Sequence, residues 1–496
     1  MLLRPSVHDY THIARDLTRI LAVVALAGLL PLTWAIARQE WRPASHILLM
    51  IGVCVLAAGA GTTIKPTRRK RVDWSHGLVV VALTWLVVPA VATIPLYLSG
   101  HYGSWIDSYF DAMSGVTTTG LSVIQDLDHL SDSVNVWRHT IQFLGGQGIV
   151  LAALTLFSAS GALSLYQAEG RDERIFPSVA SSARFIWAVS LVHLGFGVTL
   201  LTLDGIIGQG FTVSRSIFHA VTIFMAAFDT GGFSPQSTSI TYYHSAVYEL
   251  TIAVLMVAGA MSFGLHHAIW HRRRGLLRNV EVKTILTTMG VTLAAVTIGL
   301  ADSYTDLSSL VRRAFFQSVS AHTGTGFSTV SSSELGRWTG LAFAGVATAM
   351  ALGGMSSSTA GGVKSLRVGL TVRSLVDNVR AALLPEHAVV PTGYTQYGPQ
   401  RLEPKLAQSV MSVSLLYVAL YLLGAGVGIA YGYDLQDALF ESVSAGAAVG
   451  LSVGITSPAM PLLMKVVMIL QMWIGRLEFV AVFALAGFVW SIVRGE

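Results

Sequence analysis

The sequence predicts an all-α polytopic membrane protein in which four pseudo-symmetric helix–pore-loop–helix repeats surround one pore, preceded by an extra amino-terminal helix pair. Its 496 residues are 53% hydrophobic and only 12% charged, whereas soluble domains carry about 25% charged residues. Apolar windows of about 20 residues, long enough to cross a bilayer as helices, recur about ten times. A glycine-containing motif also recurs four times between these windows. No sizeable soluble domain fits between them.

The amino-terminal helix pair is predicted at about 17–36 and 45–63. A short basic loop follows it, with Lys65, Arg68, Arg69, Lys70 and Arg71. The positive-inside rule places this loop in the cytoplasm, and two crossings then place the amino terminus there as well. The amino terminus lacks the short apolar core and cleavage site of a leader, so we expect it to be retained. Later basic clusters are predicted on the same side, at 171–184, 272–283, 373–405 and Arg494.

The composition excludes several classes of protein. The single cysteine, Cys54, lies in an apolar run, so one chain can form neither a disulfide framework nor a cysteine metal site. The pI near 9.3 reflects basic residues in short loops, which the positive-inside rule explains. We therefore expect no nucleic-acid partner.

The four repeats are aligned by two glycine anchors. The first is the glycine of "VTTTGLSV", "DTGGFSP", "HTGTGFSTV" and "GAAVGLSVG": Gly120, Gly232, Gly326 and Gly450. A phenylalanine stands ten residues before three of these glycines, at Phe110, Phe316 and Phe440, but Phe218 stands fourteen before Gly232. The second anchor follows the first by 25, 27, 27 and 25 residues, at Gly145, Gly259, Gly353 and Gly475. Such near-constant spacing predicts an internal repeat.

Each repeat is predicted to contain an outer helix, a short half-buried helix, a glycine turn and an inner helix. The outer helices are predicted at about 76–98, 184–206, 284–301 and 406–430. The inner helices are predicted at about 136–158, 246–270, 338–380 with an interruption, and 460–492. The resulting division is a helix pair at 1–74 and repeats at 75–180, 181–280, 281–400 and 401–496.

Non-helical turns at membrane depth must be buried in protein or line water, because each unpaired backbone group in lipid costs several kcal/mol. Four such turns are therefore expected to meet on one axis, where their carbonyl groups can replace the hydration shell of a cation. Glycine permits the positive φ angles that such turns need, and helix carboxyl ends add negative potential. Apart from Asp229, the turns contain no acid, which favours a monovalent over a divalent cation.

The chain resembles the Trk/Ktr/HKT superfamily of potassium-translocating membrane proteins, most closely its TrkH-type subunits, from about residue 75 to the end. The resemblance rests on "MSGVTTTGLSV", "WRHTIQFLGGQGIV", "DTGGFSP", "GGMSSSTAGGVKSLR" and "MWIGRLEF". The extra helix pair is similar to TrkH-type members, whereas the fourth turn, "AAVGLSVG", is similar to KtrB-type members. The resemblance implies potassium as the transported ion, no covalent cofactor, and a homodimer with a cytosolic nucleotide-binding subunit of the TrkA type. It also implies a bacterial or archaeal cytoplasmic (inner) membrane.

The resemblance implies a potassium filter formed by four segments. By position these are Thr118, Thr119, Gly120 and Leu121; Thr230, Gly231, Gly232 and Phe233; Gly324, Thr325, Gly326 and Phe327; and Ala448, Val449, Gly450 and Leu451. In plant relatives a serine at the first filter glycine accompanies sodium permeation, so Gly120 favours potassium by analogy.

The third inner helix contains "ALGGMSSSTAGGVKSLR", whose glycine and hydroxyl residues disfavour a stable helix. We predict a flexible intramembrane loop at 353–364, and the resemblance implies that it is a gate. The candidate gate residues are Gly353, Gly354, Ser356, Ser357, Ser358, Thr359, Gly361, Gly362, Lys364 and Arg476. For Lys364, extension towards the membrane interface is the commoner role of a lysine at the end of a span, and a positive barrier or gate latch is the alternative. A phosphate-binding loop is disfavoured because Val363 separates Gly362 from Lys364.

Arg476 replaces the small residues that follow the second anchor in the other repeats, and it lies near the middle of an apolar segment. An arginine there is costly and usually faces the protein interior or a water-filled path. We predict a pore-facing electrostatic role, with a structural ion pair as the alternative; Glu478 is not the expected partner, because residues two apart face different sides of a helix.

Other polar positions leave two interpretations open. Asp111, His219, Gln317 and Glu441 follow the repeat phenylalanines and could either shape the field at the outer mouth or hold the short helices by hydrogen bonds. The basic loops 271–283 and 364–405 could bind a regulatory subunit, although topology alone explains their charge.

The predicted function is potassium uptake through a channel-like filter. The alternatives are a potassium symporter coupled to protons or sodium, and a less selective potassium/sodium transporter. An intramembrane enzyme is disfavoured because the fifteen histidines show no HExxH spacing.

Overall fold

The computed structural model describes residues 7–64, 74–149, 178–272, 275–385 and 393–494. The amino-terminal pair consists of α1 (Val7–Ala27), α2 (Leu29–Ala37) and α3 (Trp41–Thr63). The first repeat contains α4 (Trp74–Leu98), α5 (Trp105–Val116) and α6 (Asp132–Gln147). The second contains α7 (Val179–Ile207), α8 (Val213–Phe228), α9 (Ala246–Ala260) and α10 (Phe263–Trp270).

The third repeat contains α11 (Val280–Gly299), α12 (Leu307–His322), α13 (Ser332–Leu335), α14 (Gly340–Ala351) and α15 (Ser365–Leu383). The fourth contains α16 (Pro404–Ala430), α17 (Leu435–Gly446), α18 (Leu462–Arg476) and α19 (Val480–Arg494). Short 3₁₀ turns occupy Ser239–Tyr243 and Leu276–Arg278. An antiparallel hairpin of β1 (Gly393–Thr395) and β2 (Pro399–Arg401) adds a small strand pair to the otherwise helical fold.

Six helices or helix pairs in the described residues are long and apolar enough to cross a membrane as single spans: Tyr10–Ala37, Trp41–Thr63, His76–Leu98, Ala180–Ile207, Val280–Gly299 and Pro404–Ala430. The last four are the outer helices of the repeats, and each begins within five residues of its predicted start. Two further segments, α9 with α10 and α18 with α19, form bent pairs. The fold is therefore that of a polytopic helical membrane protein.

The short helices α5, α8, α12 and α17 have 12 to 16 residues, which at 1.5 Å per residue is about 18–24 Å and too short to cross the membrane. Three of them begin at side-chain caps: Ser104, Thr212 and Asp306 accept hydrogen bonds from backbone amides in the first turn. Each helix ends four residues before its shared glycine. The glycine end thus fixes the register of all four repeats.

This register corrects one alignment in the second repeat. The position ten residues before Gly232 is Thr222, and the next is Ile223. Phe218 and His219 therefore lie one helical turn before the positions that the repeat phenylalanine and the polar residue after it take in the other three repeats.

The inner helices break at the second glycine anchor, so the prediction of continuous helices at 246–270 and 460–492 is wrong. The α9–α10 pair bends by 104° and the α18–α19 pair by 112°. A Cβ atom on Gly259 would lie 1.9 Å from Phe228 O, and one on Gly475 would lie 1.9 Å from Gly446 O. The inner helix therefore passes directly against the end of the short helix, and the chain changes direction there. In the first repeat α6 ends at Gln147, and the predicted continuation beyond 149 lies outside the described residues.

The amino-terminal pair is attached to the first repeat at the ends of α2 and α3. Glu40 accepts hydrogen bonds from the backbone amides of Asp132 (3.1 Å) and Ser133 (2.9 Å) at the start of α6. Arg38 forms an ion pair with Asp132 at 2.8 Å. A carboxylate stabilises exposed amides at a helix amino terminus, so these contacts fix the pair against α6. The larger apolar core joins this pair to residues of all four repeats, and a second core joins the third and fourth repeats.

Candidate functional site: a ring of four glycine turns

The four glycine turns share one backbone conformation. In each turn the shared glycine has a positive φ, between +72° and +99°, and so does the residue two positions earlier. The earlier residues are Thr118 (+56°), Thr230 (+50°), Gly324 (+71°) and Ala448 (+54°). Three of them carry side chains in a conformation that favours glycine. Such strain is retained where the surrounding structure fixes the chain, which is common at functional sites.

The backbone of each turn is anchored to the end of its own short helix. The amide of the residue before each shared glycine donates to a carbonyl five residues earlier: Thr119 to Ser114 (2.8 Å), Gly231 to Ala226 (2.8 Å), Thr325 to Ser320 (2.9 Å) and Val449 to Ser444 (2.9 Å). Because all four turns make this same hydrogen bond to the short helix, four different sequences adopt the same turn: TTTG, TGG, GTG and AAVG. The carbonyl groups, rather than the variable side chains, are the common feature.

The four turns contact each other in a closed cycle. A Cβ atom on Gly120 would lie 2.4 Å from Gly231 O, and one on Gly232 would lie 2.0 Å from Thr325 O. A Cβ atom on Gly326 would lie 1.8 Å from Val449 O, and one on Gly450 would lie 2.2 Å from Thr119 O. Each glycine therefore packs against the carbonyl of the next repeat, and the fourth returns to the first. The four predicted filter segments thus lie together around one centre.

A cavity of about 170 Å³ lies on one side of this ring, and all four shared glycines line it. Most of its polar lining consists of serine hydroxyls: Ser122, Ser234, Ser237, Ser239, Ser328, Ser332 and Ser452. Its lining includes no carboxylate from the described residues, and no cluster of three or more potential metal ligands occurs among them. Neutral oxygens suit a monovalent cation better than Ca²⁺, whose sites use carboxylates.

Arg138 also lines this cavity, but its charge is balanced inside the protein. Its Nε lies 2.8 Å from the Asp111 carboxylate, and both side chains are almost completely buried. The guanidinium also stands 4.2 Å from the centre of the Phe233 ring. A buried pair of this kind is stable only when its remaining polar atoms are bonded. Tyr102 and Ser122 supply further bonds to Asp111.

The polar residues that follow the repeat phenylalanines hold the segment leaving the turn. Asp111 binds the Ser122 hydroxyl, Gln317 binds Ser328 at 3.2 Å and Glu441 binds Ser452 at 2.5 Å. In all three repeats the serine stands two residues after the shared glycine. His219 lies instead at 2.9 Å from the Tyr243 hydroxyl, as its shifted register requires. These contacts favour the hydrogen-bonding interpretation over an open role at the mouth.

Three polar residues on α6 support the second turn, and they were not among the predicted site residues. Gln142 Nε2 donates to Gly231 O (2.6 Å), and its Oε1 accepts from the amide of Phe233 (3.3 Å). His139 Nε2 lies 3.1 Å from Phe233 O, and Asn135 donates to Pro235 O at 3.1 Å. The spacing of these three residues, i, i+4 and i+7, places them on one face of the helix. This polar face of α6 can be read from the sequence and could have identified the three residues.

On the other side of the ring, residues 352–364 form a non-helical loop between α14 and α15. The two ends of the loop touch: the amide of Gly353 donates to Val363 O (2.9 Å), and that of Val363 donates to Ala351 O (3.1 Å). A Cβ atom on Gly353 would lie 1.8 Å from Gly361 O. In the other three repeats the second-anchor glycine packs against the end of the short helix. In the third repeat the loop takes that position.

The loop is bonded to the break in the second inner helix. The amide of Met355 donates to Ala260 O (3.0 Å) and that of Thr359 to Gly259 O (3.3 Å). The bend between α9 and α10 leaves these carbonyls without helical partners. The Thr359 hydroxyl also donates to Gly259 O at 2.9 Å and shares a hydrogen bond with the Thr230 hydroxyl at 3.1 Å. The predicted gate loop thus lies directly against the second turn.

Arg476 joins this loop to the first repeat. Its Nη1 donates to Thr359 O (2.6 Å) and to the Thr118 hydroxyl (3.1 Å), and its Nη2 donates to Gly145 O (2.9 Å). Arg476 is the last residue of α18, so the helix break directs its guanidinium under the ring. Nearby, Glu478 forms an ion pair with Arg367 of α15. The structure therefore places Arg476 among backbone carbonyls and pairs Glu478 with a different arginine.

Little space is left beneath the ring. Lys364 donates to the Ala360 carbonyl at the end of the loop. The cavity lined by Ser357, Ser358, Lys364 and Arg476 has a volume of about 30 Å³, which is room for about one water molecule. Within the described residues, Arg476, Lys364 and the loop therefore occupy the region directly beneath the ring.

The fold and this ring define a class of protein: a helical membrane transport protein built from four repeats around a central pathway. Within that class, the chain belongs to the TrkH family of cation transport proteins, which matches residues 46–489. Members of this family are ion transporters rather than enzymes, so the enzyme alternative is not supported.

Individual relatives agree with this assignment. An uncharacterized cation transporter, MJ1485, of Methanocaldococcus jannaschii is 31% identical over 423 residues, covering 85% of this chain and 84% of the relative. The Trk system potassium uptake protein TrkH of Halomonas elongata is 28% identical over 439 residues, covering 84% and 86%. The crystal structure of the potassium transporter TrkH from Vibrio parahaemolyticus superposes with a TM-score of 0.82 at 22% identity, covering 96% of this chain and 98% of that one. This structural likeness confirms the predicted fold class.

Proposed function

We propose that this chain carries potassium ions into the cell across the cytoplasmic membrane, and that the ring of four glycine turns is its selectivity filter. The observation that carries the proposal is the closed cycle of contacts from Gly120 to Gly231, Gly232 to Thr325, Gly326 to Val449 and Gly450 to Thr119. Relatives named as potassium uptake proteins support the choice of ion.

The filter works by exchanging water for backbone oxygens. A cation entering from the serine-lined cavity loses its hydration shell to the carbonyl groups around the four glycines. The four short helices end at the ring, so their negative ends favour a positive charge there. The filter residues are the four segments 118–121, 230–233, 324–327 and 448–451.

The gate is the loop at 353–364 together with Arg476, and the described state is the closed one. Three contacts of Arg476 and the bonds of Thr359 connect the loop to the first and second repeats. The guanidinium adds a positive charge in the path of a cation. Opening requires that these bonds break and that the loop leaves the space beneath the ring.

Regulation comes from outside the chain in this proposal. Two copies of the chain form a homodimer, and a cytosolic nucleotide-binding subunit of the TrkA type binds the basic surfaces at 271–283 and 364–405. The amino terminus lies in the cytoplasm. The supports are the family assignment and the positions of the basic residues.

A flux assay tests the proposal. The purified protein is reconstituted into proteoliposomes with and without its regulatory subunit, and uptake of rubidium, a potassium substitute, is measured against competing potassium, sodium and lithium. We expect uptake that potassium blocks and lithium does not. An intact, monodisperse protein that carries no rubidium under either condition would contradict the proposal.

A further inference from the structure

A third, larger cavity of about 490 Å³ opens between α11, α15 and β1, away from the ring. Three cations from three elements line it: Arg278 from the 3₁₀ turn, Lys283 from α11 and Arg373 from α15. The positive-inside rule places this end of α11 at the cytoplasmic face. The cavity therefore lies at the depth of the lipid head groups.

The charges around this cavity do not cancel. Arg373 Nε lies 3.0 Å from the carboxylate of Asp377, which balances one of the three cations. The nearby carboxylate of Glu281 accepts hydrogen bonds from the Ser356 amide (2.7 Å) and from Gln396 (3.2 Å). Within the part of the chain that the structure describes, Arg278 and Lys283 form no ion pair and both are exposed. The cavity thus presents two positive charges in excess.

The rest of the wall combines hydroxyl residues of α11 and β1 with an apolar, outward-facing part of α15. Val372 and Val376 of α15 line the cavity and are 56% and 38% exposed. Val379 and Leu383 continue this apolar face of α15 and are exposed as well. A phosphate near Arg278 and Lys283 would therefore leave an acyl chain beside an apolar helix surface. Inorganic phosphate could use only the charged half of such a site.

We propose that this cavity binds an anionic phospholipid, with the phosphate between Arg278 and Lys283 and an acyl chain along Val372 and Val376. Basic pockets between membrane helices on the cytoplasmic side bind such head groups. The site also lies next to the elements that hold the loop and the third turn. A Cβ atom on Gly369 of α15 would lie 2.5 Å from Thr284 of α11, and the Thr288 hydroxyl lies 2.7 Å from the ring of His322, the last residue of α12.

Native mass spectrometry of the purified protein tests the site without any ion flux, so its failure is separate from failure of the proposed function. The protein is titrated with phosphatidylglycerol and, separately, with phosphatidylcholine. We expect preferential retention of phosphatidylglycerol by the unchanged protein. The double variant R278Q/K283Q is expected to weaken that retention by about tenfold or more, since each basic residue near a lipid surface contributes about 1 kcal/mol.

The matched control is R380Q/K405Q, which removes two exposed basic residues from the same face outside the cavity. Unchanged retention in this control supports the site, and an equal loss in both double variants would overturn it. Equal binding of the two lipids, or displacement of phosphatidylglycerol by inorganic phosphate alone, would also overturn it. The measurement is made without the regulatory subunit, because the proposed function assigns that subunit to the same basic surface at 271–283. Unaltered retention of phosphatidylcholine by R278Q/K283Q shows that the variant is folded.

Discussion

At the scale of single residues, the ring depends on the absence of side chains at four positions. Each shared glycine combines a positive φ with a neighbouring carbonyl closer than any Cβ atom could tolerate. By contrast, the residue before the glycine varies among Thr119, Gly231, Thr325 and Val449 without changing its hydrogen bond to the short helix. Backbone geometry is therefore the shared property of the four turns, and we expect it to determine selectivity.

Replacing one of these glycines should damage the filter. In G326A the new Cβ would lie 1.8 Å from Val449 O, so the third and fourth turns must separate. We expect rubidium flux to fall by about tenfold or more, or potassium preference over sodium to be lost, because a clash of this size costs about 1–3 kcal/mol. The control is G426A, where nothing lies within 4 Å. Normal flux and selectivity in G326A would show that the ring is not the filter.

Arg476 contributes a positive charge and three hydrogen bonds beneath the ring. Its removal should both lower the electrostatic barrier and release the loop. A unit charge about 10 Å from a cation, at an effective dielectric constant of about 20, costs about 1.7 kcal/mol. We therefore expect R476A to raise basal rubidium flux by about tenfold or more.

The control for R476A is R494A, which removes an arginine from the same carboxyl-terminal segment far from the ring. Its guanidinium carbon lies 4.7 Å from the centre of the Trp490 indole. We expect its flux to match that of the unchanged protein. If R476A leaves flux and gating unaltered, the arginine lies outside the conduction path and the alternative of a structural role holds.

At the scale of the elements, the repeats contact each other through one recurring position with four different chemistries. This position stands ten residues before each second-anchor glycine: Asn135, Glu249, Phe343 and Lys465. Asn135 donates to a backbone carbonyl, and Phe343 packs on Phe440 with ring centres 4.8 Å apart. At the other two interfaces this position forms an ion pair. Glu249 is the acidic partner of Arg312, and Lys465 is the basic partner of Asp107. The four interfaces between neighbouring repeats therefore differ in their chemistry at this shared position.

The ion pair between the fourth and first repeats should support the closed ring. Lys465 and Asp107 are 2.6 Å apart and both are buried. Removal of one partner leaves a buried charge uncompensated, at a cost of about 3–5 kcal/mol. We expect K465A to lower the thermal midpoint clearly, and K465M/D107N to recover part of the loss. Thermal unfolding in detergent measures both.

The comparison is R38A, which breaks the exposed ion pair with Asp132. Exposed pairs contribute about 0–1 kcal/mol, so we expect only a small shift. A K465A midpoint equal to that of R38A would mean that the buried pair does not hold the repeats together.

At the scale of the whole molecule, a narrow ring lies between a serine-lined cavity and the loop that we propose as the gate. The buried acids around it are engaged in local bonds: Asp111 with Arg138, Glu441 with Ser452 and Thr456, and Asp229 with Gln147. A symporter needs a carboxylate or a second ion site that changes state during transport. We take passive conduction, rather than coupling to protons or sodium, as the hypothesis to test.

Passive conduction gives a whole-molecule prediction. In bilayers containing the opened protein, the reversal potential should follow the potassium gradient alone and stay constant when a proton or sodium gradient is imposed. R476A supplies the open form if its flux rises as expected. A reversal potential that moves with pH or sodium would establish the coupled alternative.

Much of this protein is determined by local sequence patterns. The outer helices were predictable because each must place about 20 apolar residues across the bilayer, and the four turns because glycine spacing repeats at two anchors. The loop in the third inner helix was predictable as well, since its glycine and hydroxyl residues oppose helix formation.

The tertiary structure decided what depends on neighbouring repeats. The breaks at Gly259 and Gly475 arise where an inner helix meets the end of a short helix, a contact that the apolar sequences of α9 and α18 do not reveal. The partners of Arg476 and Glu478 likewise come from other repeats. Periodicity within a segment specifies a helix and its apolar face, but only the packing of four repeats around one axis specifies which carbonyls, charges and helix ends meet.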